Sequence, residues 1–144
     1  MFFGRKKRQI VRLLVVEDEP LIAFDTEHVL SEASYTIVAT VDRVVEAIKV
    51  LRSSEAVDLV LVDVRLADGS GVDVAQAARE ASVPVLFVTG HCPPEAMALA
   101  TGWLAKPYQL RDLLGAIEAI EATLAGNRPK RLPNGLQLFE TPAR

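Results

Sequence analysis

Glu17, Asp18 and Glu19 stand in a row after one apolar run, Asp63 closes another, Thr89 a third, and Lys106, followed by Pro107, a fourth. A carboxylate at the end of a buried run is costly unless something compensates its charge. Several carboxylates in one crevice also repel and raise one another's pKa. A hard divalent cation removes that conflict. Mg2+ takes oxygen ligands, keeps several waters, and commonly binds one or two carboxylates together with a substrate phosphate. The set lacks the His or Cys ligands that zinc prefers. Lys106 adds a second positive charge and Thr89 a hydroxyl. Such a group suits phosphoryl transfer to a carboxylate nucleophile, Asp63. The cation and lysine would meet the developing charge and the hydroxyl a phosphoryl oxygen.

Each residue also has a plainer reading. Asp18 or Glu19 could cap a helix, Asp63 could serve a turn, Thr89 could be a strand-end hydroxyl, and Lys106 a solvated charge. Their shared placement at the ends of apolar runs favours one site over four coincidences.

The elements that must position them alternate. Five short β-branched runs, IVRLLVV (10–16), YTIVAT (35–40), VDLVLV (57–62), PVLFV (84–88) and GWLA (102–105), are nearly continuous in apolar residues. Strands buried on both faces of a parallel sheet read this way. Helical spacing fills the gaps. The clearest stripe is Leu110, Leu113, Leu114, Ile117, Ile120 and Leu124, stopped by Gly126. Pro20 suits the first turn of the first helix, Asp42 the cap of the second and Ser70 that of the third. The pattern predicts an α/β, doubly wound, five-stranded parallel sheet of flavodoxin-like (βα)5 type, strand order 2-1-3-4-5. Asp18 and Asp63 then converge at the carboxyl edge, because the first and third strands are neighbours.

The chain has 144 residues, half of them apolar and about a quarter charged, which suits one globular domain. No stretch approaches the ~20 apolar residues of a membrane helix, so no membrane insertion is expected, and the start does not read as a secretory signal. Cys92 is the only cysteine, which excludes an internal disulfide, suits a cytoplasmic setting and predicts a small packed residue. Arg5, Lys6, Lys7 and Arg8 make residues 1–9 a basic N-terminal extension of charge +4. Residues 126–144 form a C-terminal tail of charge +3, so the body at 10–125 carries −10 of the net −3. An acidic body argues against direct nucleic-acid binding. The tails are expected to be solvated ends or docking arms for an acidic partner. The C-terminal one, too short for an output domain, is expected to lie back on the body or stay disordered. Gly69 and Gly71 hint at a dinucleotide fingerprint, but the third glycine is missing and the strand is the third, not the first.

The segments LLVVEDEP, LVLVDVRLADGSG, LFVTG and LAKP, in this order over residues 11 to 125, resemble the receiver domain of two-component response regulators (CheY-like). The resemblance implies Asp63 as phosphoacceptor, Asp18 as direct Mg2+ ligand, Glu17 as ligand through water, and the Arg65 backbone carbonyl as a third protein ligand. It implies Thr89 as switch hydroxyl, Lys106 as its charged companion, a cis Lys106–Pro107 bond, and Trp103 at the aromatic switch position. Phe87-Val88-Thr89-Gly90-His91 is further similar to the signature of the FAT GUY single-domain regulators of alphaproteobacteria, in which Tyr often follows the Gly, and which commonly serve general-stress phosphorelays. The short segment between Thr89 and Lys106 leaves room for a short or irregular fourth helix at most.

The expected function follows. A phosphoryl group passes from a histidine kinase or histidine phosphotransferase to Asp63. A two-state shift through Thr89 and Trp103 then signals by contact with a protein partner or by phosphotransfer. His91, at the mouth of the site, and Arg65, two residues after Asp63, are possible modulators of phosphoryl lifetime. His28 is expected on a helix surface or in packing. Two alternatives stand beside this non-enzymatic reading. One is a phosphatase working through an aspartyl-phosphate, which would want a carboxylate where Arg65 stands. The other is a phosphorylation-independent interaction module, which would not need the whole acid–Thr–Lys set.

Overall fold

The computed structural model describes residues 8–139; the cations Arg5, Lys6, Lys7 and Arg144, with Glu140, lie outside them. Five strands run parallel: β1 (Arg12–Val16), β2 (Thr36–Val41), β3 (Leu59–Val62), β6 (Val85–Thr89) and β7 (Gly102–Ala105). Between β3 and the next helix a two-stranded ribbon intervenes, β4 (Arg65–Leu66) and β5 (Gly69–Ser70). The helices are α1 (Pro20–Glu32), α2 (Val44–Arg52), α3 (Gly71–Glu80), α4 (Pro94–Met97) and α5 (Leu110–Leu124). The parallel strands lie in the expected order, and a sixth, β8 (Leu136–Leu138), is added antiparallel to β7. The C-terminal segment thus lies back on the body as far as Phe139, sealing the edge of β7.

The alternation of side chains across each strand divides the core in two. Leu14, Val16, Val60, Val62 and Phe87 face α2 and α3, packing on Ala47, Leu51, Val74 and Ala78. Leu13, Val15, Leu59, Leu61, Leu86 and Val88 face the other way, onto Leu30 of α1 and Leu113, Ile117 and Ile120 of α5. The two ends of the α5 stripe, Leu110 and Leu124, stay largely exposed. Gly126 ends the helix in the left-handed region (φ +81°), with Asn127 N–H reaching back to Ala122 O at 2.8 Å. α4 is a single turn, within the short or irregular helix expected of the segment. Cys92 is buried, and that burial, with Glu95 nearby, pushes its thiol up to about 11.

The helix starts hold two expectations and correct one. Pro20 opens α1, and Ser70 Oγ accepts from Val72 N–H at 3.1 Å as the cap of α3. Asp42 does not cap α2. Asp68, in the turn of the β4–β5 ribbon, accepts from the N–H groups of Val44 and Val45 at 2.6 and 3.2 Å. These bonds, the one from Val44 foremost, hold its carboxyl below the usual carboxylate range. The loop that follows Asp63 is thereby tied to the helix beside it. Gly71 completes the junction. A Cβ there would meet the Asp63 carbonyl oxygen at 2.0 Å, so only glycine lets α3 begin against the backbone of Asp63.

Candidate functional site

The carboxyl ends of β1, β3, β6 and β7 deliver the singled-out residues to one crevice. Asp63, just past β3, is buried, and its Oδ2 accepts from Lys106 Nζ at 2.6 Å. Its Oδ1 accepts from the backbone N–H of Arg65 at 3.2 Å. Glu17, just past β1, is also buried, with Oε1 2.8 Å from the same ammonium. That contact is an ion pair without hydrogen-bond alignment, so Oε1 is a buried oxygen lacking an aligned donor. Burial pushes the Glu17 carboxyl above its ordinary value, and Lys106 offsets only part of the rise. Burial by itself would lower the pKa of Lys106. Its hydrogen bond to Asp63 and its pairing with Glu17 outweigh that and raise it, so the ammonium stays charged. Glu19, whose pairing with Lys106 at 3.4 Å was not foreseen, stands in the acidic run that flagged the site.

Three carboxylates, of Glu17, Glu19 and Asp63, pair with one ammonium, and Asp18 adds a fourth beside them, so acids outnumber the cation in the crevice. Glu17, Asp18 and Asp63 each present an oxygen within 4.8 Å of the others. With an unaligned buried oxygen and an all-oxygen donor set, these three residues fit a hard divalent cation rather than a thiophilic one.

On β6, the strand between those that carry Asp63 and Lys106, Thr89 is a buried residue at the strand end. Its hydroxyl donates to the His91 backbone carbonyl at 3.3 Å. Its own carbonyl accepts twice, from Lys106 N–H at 3.0 Å and from Trp103 Nε1–H at 2.9 Å. Trp103 is half-buried and packs with the α2–α3 side of the core. The Lys106–Pro107 bond is cis. The side chains of Arg65 and His91 are exposed at the rim. His28 lies apart on α1, exposed and 3.7 Å from Glu32. A groove of about 510 Å3 opens beside Lys106, lined by Ile22 and Asp25 of α1 and by Pro107, Tyr108 and Leu110. Leu21 and Phe24, next in sequence to Ile22 and Asp25 on α1, are 81% and 67% exposed.

A doubly wound parallel sheet with an acidic pocket and a single lysine at its carboxyl edge defines a flavodoxin-like domain built around a cation-ready carboxylate. The family model of the response regulator receiver domain matches residues 13–118, and the chain belongs to that family. It is 35% identical over 114 residues to the phyllosphere-induced regulator PhyR of Methylorubrum extorquens, covering 73% of this chain and 41% of that protein. It is 33% identical over 113 residues to the transcriptional regulatory protein PdtaR of Mycobacterium tuberculosis, covering 74% and 55%. The chain thus spans about half the length of the curated relatives it matches. Among solved structures, the chemotaxis response regulator CheY4 of Vibrio cholerae superposes with a TM-score of 0.70 at 27% identity, over 78% of this chain and 99% of that one. Among the described residues no helix is long and apolar enough to cross a membrane.

Proposed function

We propose that this receiver takes a phosphoryl group from a histidine kinase or histidine phosphotransferase onto Asp63. One observation carries the reading: Lys106 Nζ lies 2.6 Å from Asp63 Oδ2 inside a pocket whose other walls are Glu17 and Asp18. An Asp63 oxygen attacks the phosphorus of a phosphohistidine. A P–O bond forms, the P–N bond breaks, and the electron pair returns to the ring nitrogen. Asp18, Glu17 through water, Asp63 and the Arg65 carbonyl would hold Mg2+, which when bound supplies positive charge to the transferring group. Lys106, already charged and anchored, stabilises the phosphoryl oxygens without having to move far. Thr89 exchanges its bond to the His91 carbonyl for one to the phosphoryl group, and Trp103, bonded to the Thr89 carbonyl, responds to that exchange. Arg65 and His91, at the rim, would set the access of water. The exposed Leu21 and Phe24 beside the Lys106 groove suit docking of the phosphohistidine partner. Signalling is by protein contact or onward phosphotransfer, in the cytoplasm. The narrower resemblance to FAT GUY regulators is supported by residues 87–91 and by the one-turn α4.

The test is intact-mass measurement after incubation with acetyl phosphate and Mg2+. Wild type should gain one phosphoryl group, and Asp63→Ala should gain none. Equal modification of both overturns the acceptor assignment. Loss of labelling on chelation supports the metal set, whereas undiminished labelling refutes it.

A further inference from the structure

The groove of about 810 Å3 between α5 and the segment that follows it has no part in the proposed phosphoryl chemistry. Arg111 projects into it from the first turn of α5, and Arg128, Lys130 and Arg131 line it from residues 127–133. Asp112 and Glu118 are the acids of its lining. Among the described residues, none of the four cations has a carboxylate within 4.0 Å. Apolar floor is supplied by Leu114, Ala122 and Pro129.

Three of the four cations, Arg128, Lys130 and Arg131, sit on a strap whose ends are anchored rather than on a loose tail. Pro133 lies over Gly115, where a Cβ would meet its ring at 3.4 Å. Beyond it, Gly135 O accepts from Ala105 N–H at 3.0 Å, β8 pairs with β7, and Phe139 N–H donates to Thr101 O at 2.9 Å. Basic groups held in place lose less freedom on binding than the same groups on a mobile end.

We propose that this groove docks an acidic, amphipathic segment of a partner protein, its carboxylates on Arg111, Arg128, Lys130 and Arg131 and its apolar residues on the floor. Charge complementarity selects that occupant. A positive groove on a body of charge −10 attracts locally what the rest of the surface repels. The same −10, the two acids in the lining and the absence of aromatic side chains from that lining disfavour a nucleic-acid strand, which would want stacking platforms and a continuous basic track.

The experiment is fluorescence anisotropy of the full chain with a short labelled peptide rich in Glu and Leu. Its companions are the same peptide with Ser for Leu, and a single-stranded oligonucleotide of equal charge. The proposal expects the Glu/Leu peptide to bind most tightly. The triple variant Arg128→Glu, Lys130→Glu, Arg131→Glu should weaken it roughly tenfold or more, and salt should weaken the wild type, as screening requires. The charge-matched control Arg43→Glu, Lys49→Glu, Arg52→Glu, on the distant α2 side, should bind like the wild type. Thermal melts of both variants check that the fold survives. No binding of the peptide, equal loss in both triple variants, or tighter binding of the oligonucleotide overturns the proposal. Acyl-phosphate formation on Asp63 is measured separately, so failure here leaves the phosphoacceptor reading standing on its own test.

Discussion

The indole N–H of Trp103 donates to the carbonyl oxygen of Thr89 at 2.9 Å. The same oxygen receives the backbone N–H of Lys106 at 3.0 Å. One acceptor therefore ties together the hydroxyl-bearing residue, the aromatic residue and the lysine of the pocket. Trp103 is also the only tryptophan, so its emission reports on that junction.

Trp103→Phe removes the indole donor but leaves the Thr89 carbonyl paired with Lys106. Urea unfolding followed by circular dichroism should show a loss of about 1 kcal/mol, the ordinary worth of one such bond. In the wild type, acetyl phosphate with Mg2+ should shift the tryptophan emission. Asp63→Ala should abolish the part that depends on the phosphodonor. An identical response in Asp63→Ala would show that Trp103 does not sense the acceptor.

Lys106→Ala leaves Asp63 and Glu17 buried without their shared ammonium. Breaking a buried pair by deleting one partner costs roughly 3 kcal/mol or more, and that deficit is expected in metal-free buffer. Mg2+ should raise the melting temperature of the variant more than that of the wild type, because binding to the folded state compensates the unpaired buried charge. Melts in chelator and in Mg2+ decide it. An equal or smaller shift in the variant would mean that the carboxylates do not share a cation.

Asp68 caps α2 from across the chain, and the Val44 amide, with that of Val45, favours its carboxylate and holds its folded pKa below the ordinary value. A depressed folded value means stability that is present above the unfolded pKa and lost as pH falls through the folded one. Asp68→Ala should therefore melt lower than wild type at neutral pH, and the gap should narrow in acid. A gap that is constant across this range, or widest in acid, contradicts the cap.

Gly102 faces β8 so closely that a Cβ would stand 3.1 Å from Gln137 O and 3.3 Å from the Leu138 side chain. Gly102→Val should push the strand away, at a cost of about 1–3 kcal/mol as overpacking does. Hydrogen exchange should then speed up at the amides of Ala105 and Phe139, which donate to Gly135 O and Thr101 O. Unchanged protection at both would show that β8 does not need the space Gly102 leaves.

Much of the acid–lysine cluster is legible in the sequence. Glu17, Asp18, Asp63, Thr89 and Lys106 interrupt apolar runs, and in a parallel sheet such interruptions fall on one edge. Other features had no local signature. Asp68 and the α2 amides it caps are two dozen residues apart, and a capping rule written for neighbours points to Asp42 instead. Residues 136–138 form too short a patch to announce a strand, and they become one only because β7 offers an unpaired edge.

Residue order alone determined the alternating strands and helices, the edge on which the acids and lysine gather, and the little room left for α4, because hydrophobic period and segment length act locally. Tertiary structure decided which carboxylates the ammonium of Lys106 pairs with, where the Thr89 hydroxyl and the Trp103 indole point, and how the basic C-terminal segment folds back over α5. Those choices depend on distances between groups far apart in the chain, and such distances exist only once the core has packed.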